Sequence, residues 1–182
     1  QGEGNQMVLP TIFVRAGGCN LKCDWCDTKY AWEGGKEMTV EEITEAVHDF
    51  SAKRVCLTGG EPLIQDEIYK VIDVLVDEYD LSVETNGSLD ISKLTEMDLM
   101  ISMDYKTPSS LMAGKMKEEN LGLLREKDQL KFVIDDKRDY DYAKKVISNH
   151  QIKAQIIFQP MGGKNMKKLV GWVLEDDLDV RV

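Results

Sequence analysis

Proline is scarce in this chain, with 4 among 182 residues, and aromatic residues make up only 7%. That scarcity excludes collagen-like, proline-rich and linker-dominated chains. Basic residues are outnumbered: 23 Lys and Arg stand against 33 Asp and Glu, a net charge of −10. A field of that sign repels phosphate backbones, so direct binding of nucleic acid is not expected. No stretch approaches the roughly 20 apolar residues of a membrane span, and the start lacks the basic and apolar regions of a signal peptide. A cytoplasmic location without membrane attachment is therefore expected, for a chain that starts at Gln1 and not at Met. Cysteines number 4, too few for a disulfide-stapled scaffold. What is present, 42% apolar and 31% charged residues, is the composition of a globular domain, and one domain over residues 1–182 is expected.

Strand-like runs and helical stretches alternate along the chain. Thr11 to Ala16 is rich in β-formers and stops at Gly17-Gly18. Thr39 with Glu42 forms a capping box, and Val40, Ile43, Ala46, Val47 and Phe50 make an apolar stripe, which predicts a helix from Thr39 to Phe50. Arg54 to Leu57 reads as a strand, followed by a glycine turn and a helix carrying Ile68, Val71, Ile72, Leu75 and Val76. Further strands are expected at Leu81 to Glu84, Leu99 to Met103, Gln129 to Ile134 and Lys153 to Phe158, with a helix near Tyr140 to Ser148. About six strands joined by helices form a parallel sheet, open or curled, whose ligands bind at the carboxyl ends of the strands.

Three of the cysteines, Cys19, Cys23 and Cys26, are spaced C-x3-C-x2-C in the loop after the first strand. Three thiolates at that spacing suit three irons of a four-iron cluster and leave the fourth iron open to a ligand. A structural zinc ion is the plainer alternative, but it requires four ligands. The remaining candidates are His48, His150 and Cys56, and Cys56 lies in an apolar strand where cysteine acts as a small hydrophobe. His48 and His150 fall on helical stretches without ligand-spaced partners and read as surface residues. At the end of the second strand stands Thr58-Gly59-Gly60-Glu61-Pro62. Adjacent glycines let a ligand reach backbone groups closely, and a carboxylate beside them suits a cationic amino group.

The cysteine loop with an aromatic before its last cysteine, followed by Gly-Gly-Glu-Pro after a strand, resembles the radical S-adenosylmethionine (SAM) superfamily. Additional matches narrow the resemblance: Gln1-Gly2-Glu3-Gly4, Phe13-Val14-Arg15, Cys26-Asp27-Thr28, Tyr30-Ala31-Trp32, Glu84-Thr85-Asn86-Gly87 and Lys131-Phe132-Val133. Together they resemble the 7-carboxy-7-deazaguanine synthase family. The resemblance implies an incomplete (β/α)6-type barrel with parallel strands and a modified, shortened helical layer. It also implies conversion of 6-carboxy-5,6,7,8-tetrahydropterin to 7-carboxy-7-deazaguanine, a precursor of 7-deazapurine nucleosides of tRNA. A 5′-deoxyadenosyl radical would take a substrate hydrogen, the ring would contract with loss of ammonia, and the hydrogen would return to the cofactor. A homodimer, Mg2+ and a reducing donor of the flavodoxin or ferredoxin type are implied as well.

By the same resemblance, Cys19, Cys23 and Cys26 hold the [4Fe-4S] cluster, and Trp25, Cys26 and Asp27 flank the adenine. Gly59, Gly60 and Glu61 take the methionyl amino group, Glu84, Thr85 and Asn86 the ribose side, and Ser102, Lys106 and Gln159 further parts of the cofactor. Thr28 matches a magnesium ligand, and a hydroxyl suits that hard ion. Gln1, Gly2, Glu3 and Thr58 face the substrate, whose carboxylate suits the planar fork of Arg15. Plainer roles exist for several: a packing ring for Trp25, a surface salt bridge for Arg15, a polar turn for Glu84 to Asn86 and a frayed terminus for Gln1 to Glu3. The chain departs from the family in two places. Ser102 and Lys106 are separated by two more residues than in many relatives, and the chain stops at a strand-like Leu178 to Val182 where relatives continue into the site. A glycyl-radical activase and a non-catalytic iron–sulfur module are the competing readings.

Overall fold

In the computed structural model, which describes residues 1–182, the strand-like runs line up in one six-stranded parallel sheet whose spatial order follows the sequence. The strands are β1 (Ile12–Ala16), β2 (Arg54–Gly59), β3 (Asp80–Thr85), β4 (Met100–Asp104), β5 (Gln129–Ile134) and β6 (Gln155–Pro160). The two ends of the series, β1 and β6, do not pair, so the barrel is incomplete. Beyond β6 only one bridge forms, Arg181 beside Ile157, where the strand-like tail was expected.

The helices are α1 (Val40–His48), α2 (Ile68–Leu75), α3 (Ser92–Thr95), α4 (Lys137–Asn149) and α5 (Met166–Glu175). Helix α1 starts at the expected capping box: the Glu42 amide donates to Thr39 Oγ1 at 3.2 Å and the Thr39 amide to Glu42 Oε2 at 2.8 Å. The helical layer is shortened as the resemblance implied. Between β3 and β4 it is one turn, and between β4 and β5 only three 3-10 turns at Pro108–Ser110, Ala113–Lys115 and Glu118–Gly122. A charged hub replaces the missing helix there. Arg125 donates to the carbonyls of Thr95, Met97 and Leu99, and buried Asp128 accepts from both Arg125 and the Ile101 amide. Helix α5 was not among the expected elements; Leu169 and Val173, one turn apart, bury its inner face.

Strand periodicity decides which residues build the site. On β5, Leu130, Phe132 and Ile134 enter the core beneath the helices, which leaves Gln129, Lys131 and Val133 on the interior face. The same alternation puts Ile101 and Met103 in the core and Ser102 and Asp104 inside. Tyr105, Phe132, Phe158, Tyr140 and Trp172 form a continuous ring series with centroids 5.3–5.8 Å apart that welds α4 and α5 to the sheet. No helix is long and apolar enough to cross a membrane.

Candidate active site

The carboxyl ends of the strands open into a cavity of about 780 Å³. Its wall includes all three loop cysteines, the strand-end residues of β1 to β6 and the first three residues of the chain. None of the cysteines is in a disulfide; Cys23 is buried, and Cys19 and Cys26 are half-buried. Burial pushes the Cys23 thiol up, with Lys106 pulling it the other way. Cys56, by contrast, is fully buried away from this wall, and desolvation pushes its thiol up to about 12, the behaviour of an inert core cysteine.

Four ligands of one zinc ion must approach within ~3.8 Å of one another, given Zn–S bonds near 2.3 Å. No three His, Cys, Asp or Glu side chains converge in that way. Thiols spread around one cavity wall suit a cluster, in which each cysteine takes a different iron. A second feature of the cavity fits a bound group: Asp104 Oδ1 is buried and accepts no hydrogen bond from the protein. An open acceptor beside the cysteine wall fits a ligand N–H or O–H group.

Backbone contacts fasten the cysteine loop to the glycine turn. The Glu61 amide donates to the Gly18 carbonyl at 2.9 Å, the Gly60 amide to Ala16 at 3.2 Å and the Gly18 amide to Ala31 at 2.9 Å. A Cβ at Gly60 would overlap the Gly18 carbonyl, and one at Gly59 the Ala16 backbone. These glycines therefore admit the protein's own loop, in addition to edging the cavity. Trp25 is held from behind, its Nε1 donating to Ser109 Oγ at 3.0 Å, while the Lys106 ammonium lies 5.1 Å from its ring centroid. Lys106 thus reaches the cysteine side of the cavity despite the longer spacing from Ser102. Thr28, also in the wall, stands 3.6 Å from Cys26 Sγ.

On the other side, Arg15 of β1 faces the cavity with no acidic partner; its Nη1 donates to the Gly59 carbonyl at 3.1 Å and its guanidinium lies over Tyr30. The surface salt bridge is therefore not its role. Gln1 to Glu3 are not frayed. Gln1 Nε2 donates to Glu84 Oε1 at 2.6 Å and Lys131 Nζ to Glu3 Oε1 at 2.5 Å.

Three placements differ from the expectation. Glu61 is fully buried and absent from the cavity wall, with Oε1 accepting from the Leu63 amide and Thr85 Oγ1 and Oε2 from the Asn86 amide. Desolvation pushes its carboxyl up even against those donors. Its side chain braces the floor, with both oxygens already accepting from the protein's own donors. Thr85 spends its hydroxyl on that brace. Glu84, also in the cavity wall, accepts from Gln1 and, at 3.0 Å, from Thr58 Oγ1, which places it beside the residues expected to face the substrate. Asn86, Asp27, Gln159 and Ser102 line the cavity as expected.

Two charged residues in the wall, Asp104 and Lys131, were not singled out as site residues. Asp104 Oδ2 receives Lys106 at 2.9 Å and Lys131 at 3.7 Å. Burial alone would raise the Asp104 carboxyl, but the two ammonium groups outweigh it and hold it below the ordinary range. For Lys131, burial is likewise outweighed by Asp104 and Glu3, which raise its ammonium above the usual value. The available signal was a charge on the inner phase of an otherwise apolar strand: Lys131 between Leu130 and Phe132, and Asp104 two residues after Ser102.

Similarity to known proteins agrees with this arrangement. Residues 13–127 match the model of the radical SAM superfamily. The chain is 36% identical to the 7-carboxy-7-deazaguanine synthase of Thermoplasma acidophilum, spanning 100% of this chain and 88% of that one. It is 38% identical to the synthase of Methanospirillum hungatei, over 100% of this chain and 77% of the relative. In fold it is similar to the crystal structure of QueE from Escherichia coli, with a TM-score of 0.80 at 21% identity, covering 99% of this chain and 88% of that one. With its cysteine loop, glycine turn and full-length likeness to these enzymes, the chain belongs to the 7-carboxy-7-deazaguanine synthase family of the radical SAM superfamily.

Proposed function

We propose that this chain, acting as one domain over residues 1–182, is a radical SAM lyase that converts 6-carboxy-5,6,7,8-tetrahydropterin to 7-carboxy-7-deazaguanine with loss of ammonia, on the route to 7-deazapurine tRNA nucleosides. The observation that carries the reading is that one cavity joins three free cysteines to a guanidinium without an acidic partner. The [4Fe-4S] cluster and SAM, when bound, supply a 5′-deoxyadenosyl radical.

The chain's own residues divide the work. Cys19, Cys23 and Cys26 hold the cluster as thiolates, which releases their protons on loading. The backbone of Gly59 and Gly60, with Trp25, Asp27, Asn86, Ser102, Lys106 and Gln159, receives SAM. Arg15 binds the substrate carboxylate by its planar fork. Gln1, Gly2 and Glu3 read the donor and acceptor edge of the pterin. Glu84 keeps Gln1 and Thr58 oriented toward it. Thr28 offers its hydroxyl to Mg2+ beside the cluster loop. A homodimer in the cytoplasm, reduced by a flavodoxin or ferredoxin, completes the reading.

The test is an anaerobic incubation of cluster-loaded protein with SAM, a strong reductant, Mg2+ and the tetrahydropterin, followed by mass spectrometry. Accumulation of 7-carboxy-7-deazaguanine beyond the SAM consumed is the expected result. Formation of 5′-deoxyadenosine alone would refute the substrate. Omitting Mg2+ should lower the rate, and Thr28→Ala should remove that dependence.

A further inference from the structure

The first residues of the chain form a strap whose odd-numbered members each reach a strand. Gln1 binds Glu84 of β3, Glu3 binds Lys131 of β5, and the Asn5 amide donates to Gln129 Oε1 of β5 at 2.8 Å. The strap closes on itself through the Val8 amide and the Gln1 carbonyl at 2.9 Å. Gly4, with φ +70°, a backbone conformation that side-chain-bearing residues rarely adopt, lets it lie against the Gln129 amide. Gln129 and Lys131 are successive interior positions of one strand, so β5 presents two anchors at the spacing of alternate strap residues.

Of these anchors Lys131 is the charged one. Its side chain is only 9% exposed and its ammonium touches Glu3 at 2.5 Å and approaches Asp104 at 3.7 Å. Asp104 in turn holds Lys106 at 2.9 Å, whose ammonium lies over Trp25. A chain of alternating charge, Glu3, Lys131, Asp104 and Lys106, with both lysines buried and both carboxylates half-buried, therefore runs from the strap to the cysteine side of the cavity. An ammonium in so dry a position needs its carboxylates, and the carboxylates are held in place by it.

We propose that Lys131 is a positioning residue of the substrate site: it fixes the Glu3 carboxylate against β5 and so keeps the strap folded over the cavity. This rests on the reading of Glu3 as a substrate contact. Lys131 makes no hydrogen bond to the cysteine loop or the glycine turn, and its removal reaches them only indirectly, through Asp104 and Lys106. The loss is therefore one of substrate affinity and strap order.

The experiment uses the full chain loaded with cluster, as wild type, Lys131→Met, Lys131→Arg, Glu3→Gln and the Lys131→Met/Glu3→Gln pair. Amide exchange of residues 2–8 is measured alongside KM and kcat for the tetrahydropterin. Lys131→Met and Glu3→Gln should each speed exchange and raise KM by about 10- to 100-fold, the range of one charge-assisted hydrogen bond. The double variant should be no worse than either single one, kcat should stay within a few-fold, and Lys131→Arg should recover most of the loss. The SAM-induced change in the cluster spectrum should survive in all of them. Unchanged exchange in Lys131→Met, or effects that multiply in the double variant, would overturn the inference. If the wild type makes no deazaguanine product yet Lys131→Met loosens residues 2–8, the substrate reading fails while the role of Lys131 in the strap stands. Should Lys131→Met not fold, Glu3→Gln decides by the same exchange measurement.

Discussion

The carboxylate of Glu61 accepts the Asn86 amide at 2.6 Å and so joins the end of β2 to the end of β3 beneath the cavity floor. Its remaining contacts, the Leu63 amide and the Thr85 hydroxyl, are donors too. Glu61→Gln would turn an NH2 group against a donor in a fully buried place. A loss of about 3 kcal/mol in urea unfolding is expected, with SAM affinity falling as the floor loosens. Full stability with SAM binding abolished would instead make Glu61 a direct cofactor ligand.

Gly60 is required by the approach of the Gly18 carbonyl, whereas a Cβ at Gly114 meets nothing within 4 Å. Gly60→Ala should displace the cysteine loop and leave the reconstituted protein with little bound iron. Gly114→Ala should load iron like the wild type. Iron analysis and the visible spectrum after reconstitution distinguish them, and equal iron in both would remove the packing argument.

Arg15 has Gly59 and Tyr30 as neighbours and no carboxylate. Arg15→Ala should therefore cost catalysis more than folding, raising KM or lowering turnover for the carboxylated pterin by about 100-fold. Arg15→Lys should recover only part of it, since a point charge lacks the bidentate fork. Kinetics like those of the wild type would take Arg15 out of the site.

Asp104 provides a pH signature. Its carboxyl is held below the ordinary value in the folded chain, so its contribution to stability is complete above the unfolded value near 3.9 and is lost as pH falls through the folded one. Asp104→Asn should lower stability by about 3–5 kcal/mol near neutral pH, because it leaves Lys106 and Lys131 facing a neutral group. Urea unfolding of both proteins from about pH 7 to about pH 3 should show the difference shrinking only at the acid end. A gap independent of pH would show that the ion pairs are not its source.

Local signals alone determined much of this protein. The capping box at Thr39, the β-rich run before Gly17 and the alternation of strand with helix are written in neighbouring residues, and the fold follows because each depends on contacts a few positions away. The cysteine spacing and the Gly-Gly-Glu-Pro turn announced the chemistry for the same reason. Tertiary structure alone decided where the carboxylates point. Glu61 and Glu84 both close strands and look alike in sequence, yet one is sealed beneath the floor by three donors and the other opens toward Gln1 and Thr58. Lys131 likewise became a site residue only when Glu3, 128 positions earlier, was folded onto it. Burial and charge pairing between distant segments set the role of such groups, and neither is a property of the residues beside them.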